Sequence, residues 1–210
     1  MTIETWLAFV AASTALLLIP GPTVLLVMSY ALSRGRRVAL STAAGVAVGD
    51  FLAMSASLAG LGALVLASAT LFTALKWVGA AYLIYLGVRL IRAAPEARLA
   101  APDGVQTQEG SQVFTHALLV TALNPKSIVF FIAFVPQFIT PAAPLVPQFA
   151  VLITTFVGLA ALNALAYVFL ADRLRTRITR PGVLTWLSRL GGGALIAMGL
   201  VTAAARRATA

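Results

Sequence analysis

Pro20-Gly21-Pro22 and Asn124-Pro125-Lys126 interrupt two apolar segments at matching places, Pro125 following Pro22 by 103 residues (125 − 22). Proline has no backbone N–H and its ring clashes with the preceding turn. A helix inside a bilayer therefore carries it only where the freed carbonyls find other partners. Interruptions at corresponding points of two halves mark a duplicated membrane transporter with its substrate site near the midplane.

The surrounding sequence belongs in lipid. Of 210 residues 60% are hydrophobic and 10% are charged, and mean hydropathy is +0.97; a soluble domain carries roughly a quarter charged residues. No charge occurs from Thr5 to Ser33, from Phe51 to Leu75 or from Ser127 to Ala171. The last run exceeds the roughly 20 residues one crossing needs. Glu4 precedes any Lys or Arg, the first being Arg34, so the N-terminal apolar segment lacks the positive start of a cleaved signal and is expected to remain. Cysteine is absent, which excludes disulfides and thiolate metal sites.

Six crossings are expected, at about 5–32, 38–62, 70–91, 113–139, 147–171 and 185–204. The fold class is an all-α integral membrane protein. Residues 1–92 form a first three-helix repeat, a polar cytoplasmic linker covers 93–111, and residues 112–210 form the second repeat, all in one membrane domain. Because three is odd, the second repeat enters from the opposite side, making an inverted repeat in which helices one and four are the broken pair.

With the N-terminus outside, ten arginines fall on cytoplasmic loops (Arg34, Arg36, Arg37, Arg89, Arg92, Arg98, Arg173, Arg175, Arg177 and Arg180), against Lys76, Arg206 and Arg207 outside. The positive-inside rule then favours both termini outside. The net charge of +9 reflects this topology. Basic residues scattered over short loops argue against a nucleic-acid partner.

Two charges lie deep. Asp50 is about twelve residues into the second crossing, or roughly 18 Å at 1.5 Å per residue, near the middle of the bilayer. Lys126 sits at similar depth. Each costs about 2.5–3.5 kcal/mol on insertion scales, so each must face protein, water or an opposite charge. They form either a structural ion pair or the poles of a polar cavity. The half-helices beginning at Pro22 and Pro125 expose N–H groups and positive dipole ends at mid-depth. A zwitterionic amino acid fits there, its carboxylate toward those N–H groups and Lys126, its ammonium toward Asp50 and the carbonyls freed by the prolines.

Other features weigh less. Tyr82 is a candidate for reaching the cavity from the third crossing, Tyr85 a weaker one, and Asn163 is a polar candidate on the fifth. Gly45 and Gly49, and Gly191 to Gly193 with Gly199, are small-residue faces for close helix packing or for a homodimer. Trp6 and Trp186 fit interfacial anchors. His116, the only histidine, is expected in a solvated or capping role rather than a proton relay. One peripheral histidine, one deep carboxylate and no cysteine provide neither an enzyme's nucleophile and base nor a metal site, and no cofactor is implied.

Taken together, Pro20-Gly21-Pro22, Gly35-Arg36-Arg37, Gly45, Gly49-Asp50, Gly79-Ala80-Ala81-Tyr82-Leu83 with Gly87 and Arg89, Leu123-Asn124-Pro125-Lys126, Pro136-Gln137-Phe138 and the Gly193 to Leu200 segment resemble the LysE/RhtB family of bacterial amino-acid exporters. The resemblance spans nearly the whole chain. It departs from the family pattern at Thr23, where Asn is frequent, and at Ala39, where Gly is common. It implies export of an amino acid from the cytoplasm across the inner membrane, by proton antiport. On that reading the substrate-binding candidates are Asp50, Lys126, Asn124, Gly21, Pro22, Thr23 and Tyr82, the helix breaks are Pro20, Pro22 and Pro125, and Asp50 carries the proton. A single deep acid favours a neutral substrate such as threonine, homoserine or leucine over a dibasic one. The competing readings are a non-enzymatic membrane subunit, or an exporter of another small solute or cation, with Asp50 and Lys126 structural.

Overall fold

The computed structural model describes residues 1–19, 21–34, 36–67, 69–93, 110–140, 143–178 and 181–204. These form α1 (Ile3–Leu18), α2 (Pro22–Arg34), α3 (Arg36–Ala67), α4 (Ala69–Ala93), α5 (Gly110–Ala122), α6 (Pro125–Val129), α7 (Leu145–Ile178) and α8 (Pro181–Ala204), with no strand among the described residues. Pro20, most of the 93–111 linker, Arg98, Arg180, Arg206 and Arg207 lie outside that set, as do the side chains of Arg34, Arg36, Arg37, Arg173, Arg175 and Arg177.

Both expected breaks are present, and both have the same local cause. The residue before a proline is driven out of the helical region by the ring's Cδ. Ile19, before Pro20, stands at φ −68°, ψ 120° and ends α1, and Asn124, before Pro125, stands at φ −68°, ψ 110° and precedes α6. Proline then serves at the first helical position, where a missing N–H costs nothing. Each pair of half-helices, α1 with α2 and α5 with α6, is bent by more than 40°. Beyond α6 the chain continues through a π turn at Phe130–Phe134 and a 3₁₀ turn at Val135–Phe138. Pro136 accounts for the change, since it cannot donate the next i→i−4 bond.

By length and composition α3 (over Leu40–Ala63) and α7 (over Leu145–Phe169) can each cross a membrane, and so can each bent pair taken as one span. That accounts for four of the six expected crossings. The other two correspond to α4 and α8, of 25 and 24 residues; α4 carries Lys76, Arg89 and Arg92, and the apolar part of α8 is Ser188–Ala204. The exterior is apolar: Leu7, Phe51, Val78, Leu123, Leu162, Phe169 and Trp186 are exposed, and the apolar window of α7 is only 22% buried. An outward-facing surface of this kind is stable in hydrocarbon and a liability in water.

Two apolar clusters of the described residues fill the interior. Phenylalanines dominate the first, with Phe131 edge-on to Phe156 at 4.8 Å and Phe130 stacked on Phe134 at 5.2 Å. The second gathers Leu26, Val27, Tyr30, Val46, Val113, Ala117, Ala164 and Val168 from α2, α3, α5 and α7.

Glycines set the closest approaches. A Cβ on Gly49 would stand 2.7 Å from the Leu118 carbonyl oxygen and 2.9 Å from Thr121 Cβ, so α3 and α5 meet backbone to backbone. Gly87 and Gly192 do the same for α4 and α8, each Cβ falling 2.5–2.6 Å from the other's carbonyl oxygen. In lipid, where apolar area brings helices no closer together, such packing is the main attraction between them. The Gly45 and Gly49 face, with Gly191, Gly192 and Gly199, is thus used within the chain, whereas Gly193 is exposed with open space beside it. Gly49→Val is expected to cost about 1–3 kcal/mol by overpacking, visible as a lower melting temperature of detergent-purified protein. An unchanged melting temperature would contradict the packing just described.

Candidate functional site

Where the two breaks meet there is a cavity of about 30 Å³, lined by Gly21, Thr23 and Val24 at the start of α2, Asn124, Lys126 and Ser127 at the start of α6, Val46 and Asp50 of α3, and Ala160, Asn163, Ala164 and Tyr167 of α7. It lies at the junction of the two apolar clusters, with Leu16 and Ala160 from the first and Val27, Val46 and Ala164 from the second. Its volume suits a water molecule; ligand pockets run to about 300 Å³ and more. The site is therefore closed in this conformation.

The residues flanking the two proline breaks set the polar geometry. At the same 103-residue spacing Gly21 corresponds to Asn124 and Thr23 to Lys126 (124 − 21, 126 − 23). The contacts cross between the halves accordingly. Asn124 donates from Nδ2 to Thr23 Oγ1 at 3.3 Å, while Lys126 extends over Gly21, where a Cβ would stand 3.3 Å from Nζ. Glycine there leaves the lysine its space. The Lys126 Nζ donates to the carbonyl oxygens of Leu16 and Ile19, both at 3.1 Å. These are carbonyls of the last turn of α1, where the break removes the i+4 donors; Leu16 O also accepts from the Ile19 backbone N–H at 3.2 Å. Asn124 Oδ1 accepts from the Lys126 backbone N–H at 3.1 Å, capping α6. Asn163 Nδ2 donates to the Leu17 carbonyl at 3.2 Å, holding α7 against the same end of α1.

Asp50 has no such support. It is 2% exposed, and its Oδ1 has no hydrogen-bond partner. Among the described residues no ion pair within 4.0 Å joins it to Lys126, whose ammonium is held by the two carbonyls. A buried carboxylate oxygen left unpaired is costly, and natural proteins retain one chiefly where it acts.

Of the residues proposed from sequence, Gly21, Thr23, Asp50, Asn124 and Lys126 converge on the cavity and Pro22 opens α2 beside it. Tyr82 does not. It is half-buried on α4, its ring 5.9 Å from that of Tyr85, and it is not among the residues that line the cavity. His116 is also unlike its expected role: its Nδ1 is hydrogen-bonded to the fully buried Tyr30 hydroxyl at 3.0 Å. Sequence reasoning overlooked Tyr167, Ser127 and the Leu16 and Ile19 carbonyls. For Tyr167 a signal existed, since Ala160, Asn163, Ala164 and Tyr167 form an i, i+3, i+4, i+7 stripe.

The sequence profile of the LysE type translocator family matches residues 14–206. The chain belongs to that family. Along nearly their full lengths it is similar to a homoserine/homoserine lactone efflux protein of Salmonella typhimurium, 36% identical over 99% of this chain and 100% of the relative. An uncharacterized membrane protein of Vibrio cholerae is 35% identical over 98% and 100%. A leucine efflux protein of Salmonella typhimurium is 29% identical over 96% and 93%. No solved structure matches the chain. As a member of the LysE type translocators the protein is a membrane transporter.

Proposed function

We propose that the protein exports a small neutral amino acid from the cytoplasm across the inner membrane, exchanging it for protons. The observation that carries this reading is Asp50, with Oδ1 buried and without a hydrogen-bond partner, lining one small cavity together with the Lys126 ammonium and the starts of two broken helices. Relatives named for efflux of homoserine and of leucine support an amino-acid substrate. The apolar part of the lining, Val24, Val27, Val46, Ala160 and Ala164, suits an aliphatic or short hydroxylated side chain. Among the described residues it holds no second carboxylate for a dibasic one.

The architecture behind this function is six crossings in two inverted repeats, α1–α2 with α5–α6, α3 with α7 and α4 with α8, both termini outside. Mutual packing of α3 with α7 and of α4 with α8 supports that pairing. The substrate carboxylate engages Lys126 and the N-terminus of α2, and its ammonium engages Asp50. Release outside leaves Asp50 to take a proton, which it returns to the cytoplasm as the repeats rock. The alternative of a locked structural ion pair is disfavoured because Lys126 gives two of its three N–H donors to carbonyls and stands beyond 4.0 Å from the Asp50 carboxylate.

Everted vesicles from cells overproducing the chain, or proteoliposomes with a defined gradient, test the reading. Uptake of homoserine, threonine or leucine into everted vesicles acidified inside is expected to rise at least about tenfold over vesicles lacking the protein, to collapse with a protonophore, and to be absent for lysine. Protonophore-insensitive uptake would rule out antiport; absence of all three activities would rule out the substrate class.

A further inference from the structure

Lys126 places a primary ammonium on two main-chain carbonyls, Leu16 O and Ile19 O, each 3.1 Å from Nζ, over a glycine whose missing side chain leaves room for it. Those atoms make a receptor for R–NH₃⁺: two oxygen acceptors at the negative end of α1, Leu16 O having a second lone pair beyond the one that takes the Ile19 N–H, with Asp50, whose Oδ1 has no hydrogen-bond partner, lining the same cavity. A substrate α-ammonium is the same chemical group as the one that lysine brings from the other half of the molecule. The geometry points to the Leu16 and Ile19 carbonyls as the substrate's ammonium site, occupied in the closed conformation by Lys126 acting as a tethered stand-in.

This deepens the amino-acid export reading and rests on it for the identity of the ligand. An entering carboxylate draws Lys126 off the carbonyls, and the ammonium of the same molecule replaces it there. Simple amines lack the carboxylate and cannot displace the lysine, so the site selects amino acids over amines by making its own cation the competitor. Removing that cation leaves a pocket for a small primary ammonium ion.

Lys126→Ala protein in detergent is heated with about 50 mM methylammonium chloride or tetramethylammonium chloride. Tetramethylammonium has the charge but no N–H to donate. Methylammonium is expected to raise the melting temperature of Lys126→Ala by about 3 °C or more over the tetramethylammonium control, and to leave the wild type unmoved. Adding Asp50→Asn to Lys126→Ala should shrink the shift. Equal shifts with both salts, no shift with either, or the same shift in the wild type overturn the proposal; a full shift in the double variant removes Asp50 from the site. Should Lys126→Ala resist purification, the comparison is read as the yield of monodisperse protein from cells grown with each salt, equal yields being the adverse result. None of these readouts involves transport, so loss of the export reading and loss of this site are separately detectable.

Discussion

Asp50→Asn is expected to insert, purify and withstand heat at least as well as the wild type, and to export nothing above the vesicle background. The amide keeps the shape of the carboxyl while removing a group whose Oδ1 is buried without a partner. A charge at this depth costs about 2.5–3.5 kcal/mol on insertion scales, so neutralising it relieves a penalty instead of creating one. Transport should respond in the opposite direction, by about a hundredfold or more, because an amide neither attracts an ammonium with a full charge nor releases a proton. Melting curves and proton-driven uptake on the same preparation check both halves. Wild-type uptake by Asp50→Asn would end the coupling scheme, and a large loss of stability would mark Asp50 as structural.

Lys126→Met is expected to lose both properties. Methionine matches the length of the lysine stem but takes the ammonium away from the Leu16 and Ile19 carbonyls, leaving Leu16 O with the Ile19 backbone N–H at 3.2 Å. Hydrogen bonds to charged groups contribute about 1.5–3 kcal/mol each, and some relaxation will recover part of the pair, so a net loss of about 2–4 kcal/mol is expected. For a chain of this size each kcal/mol lowers the melting temperature by about 2–4 °C. Export should also disappear, since the carboxylate of the substrate loses its counter-charge. A variant as stable as the wild type would mean that the ammonium does not hold the end of α1. The contrast in sign between Asp50→Asn and Lys126→Met is the sharper test: one removes a charge whose Oδ1 makes no hydrogen bond, the other a charge that makes two.

Much of the site was legible because its causes are local or costly. Proline acts on its own residue and the one before it, so the breaks at Ile19 and Asn124 follow from Pro20 and Pro125 wherever the helices later pack. Asp50 and Lys126 are conspicuous because a charge in an apolar run needs a reason. What those charges bond to was not legible. Pairing Asp50 with Lys126 is the obvious guess from charge alone, yet the ammonium chose two carbonyls more than 100 residues away in the chain. Tyr82 is not among the residues lining the cavity, and a helix's facing is set by its neighbours, here Gly87 of α4 meeting Gly192 of α8, which no local pattern reveals. His116 looked peripheral until α5 brought it to Tyr30 of α2.

The order of residues was enough to say that this chain lives in lipid, that it is helical, and that two helices are severed at equivalent points, since hydropathy and proline geometry need no knowledge of the rest of the fold. Which partners the exposed backbone and the buried charges would find depended on how the halves came together. An unpaired carbonyl is satisfied by whichever donor arrives, and only the packing of α1, α3, α6 and α7 around one point brings Lys126 to it and leaves Asp50 waiting.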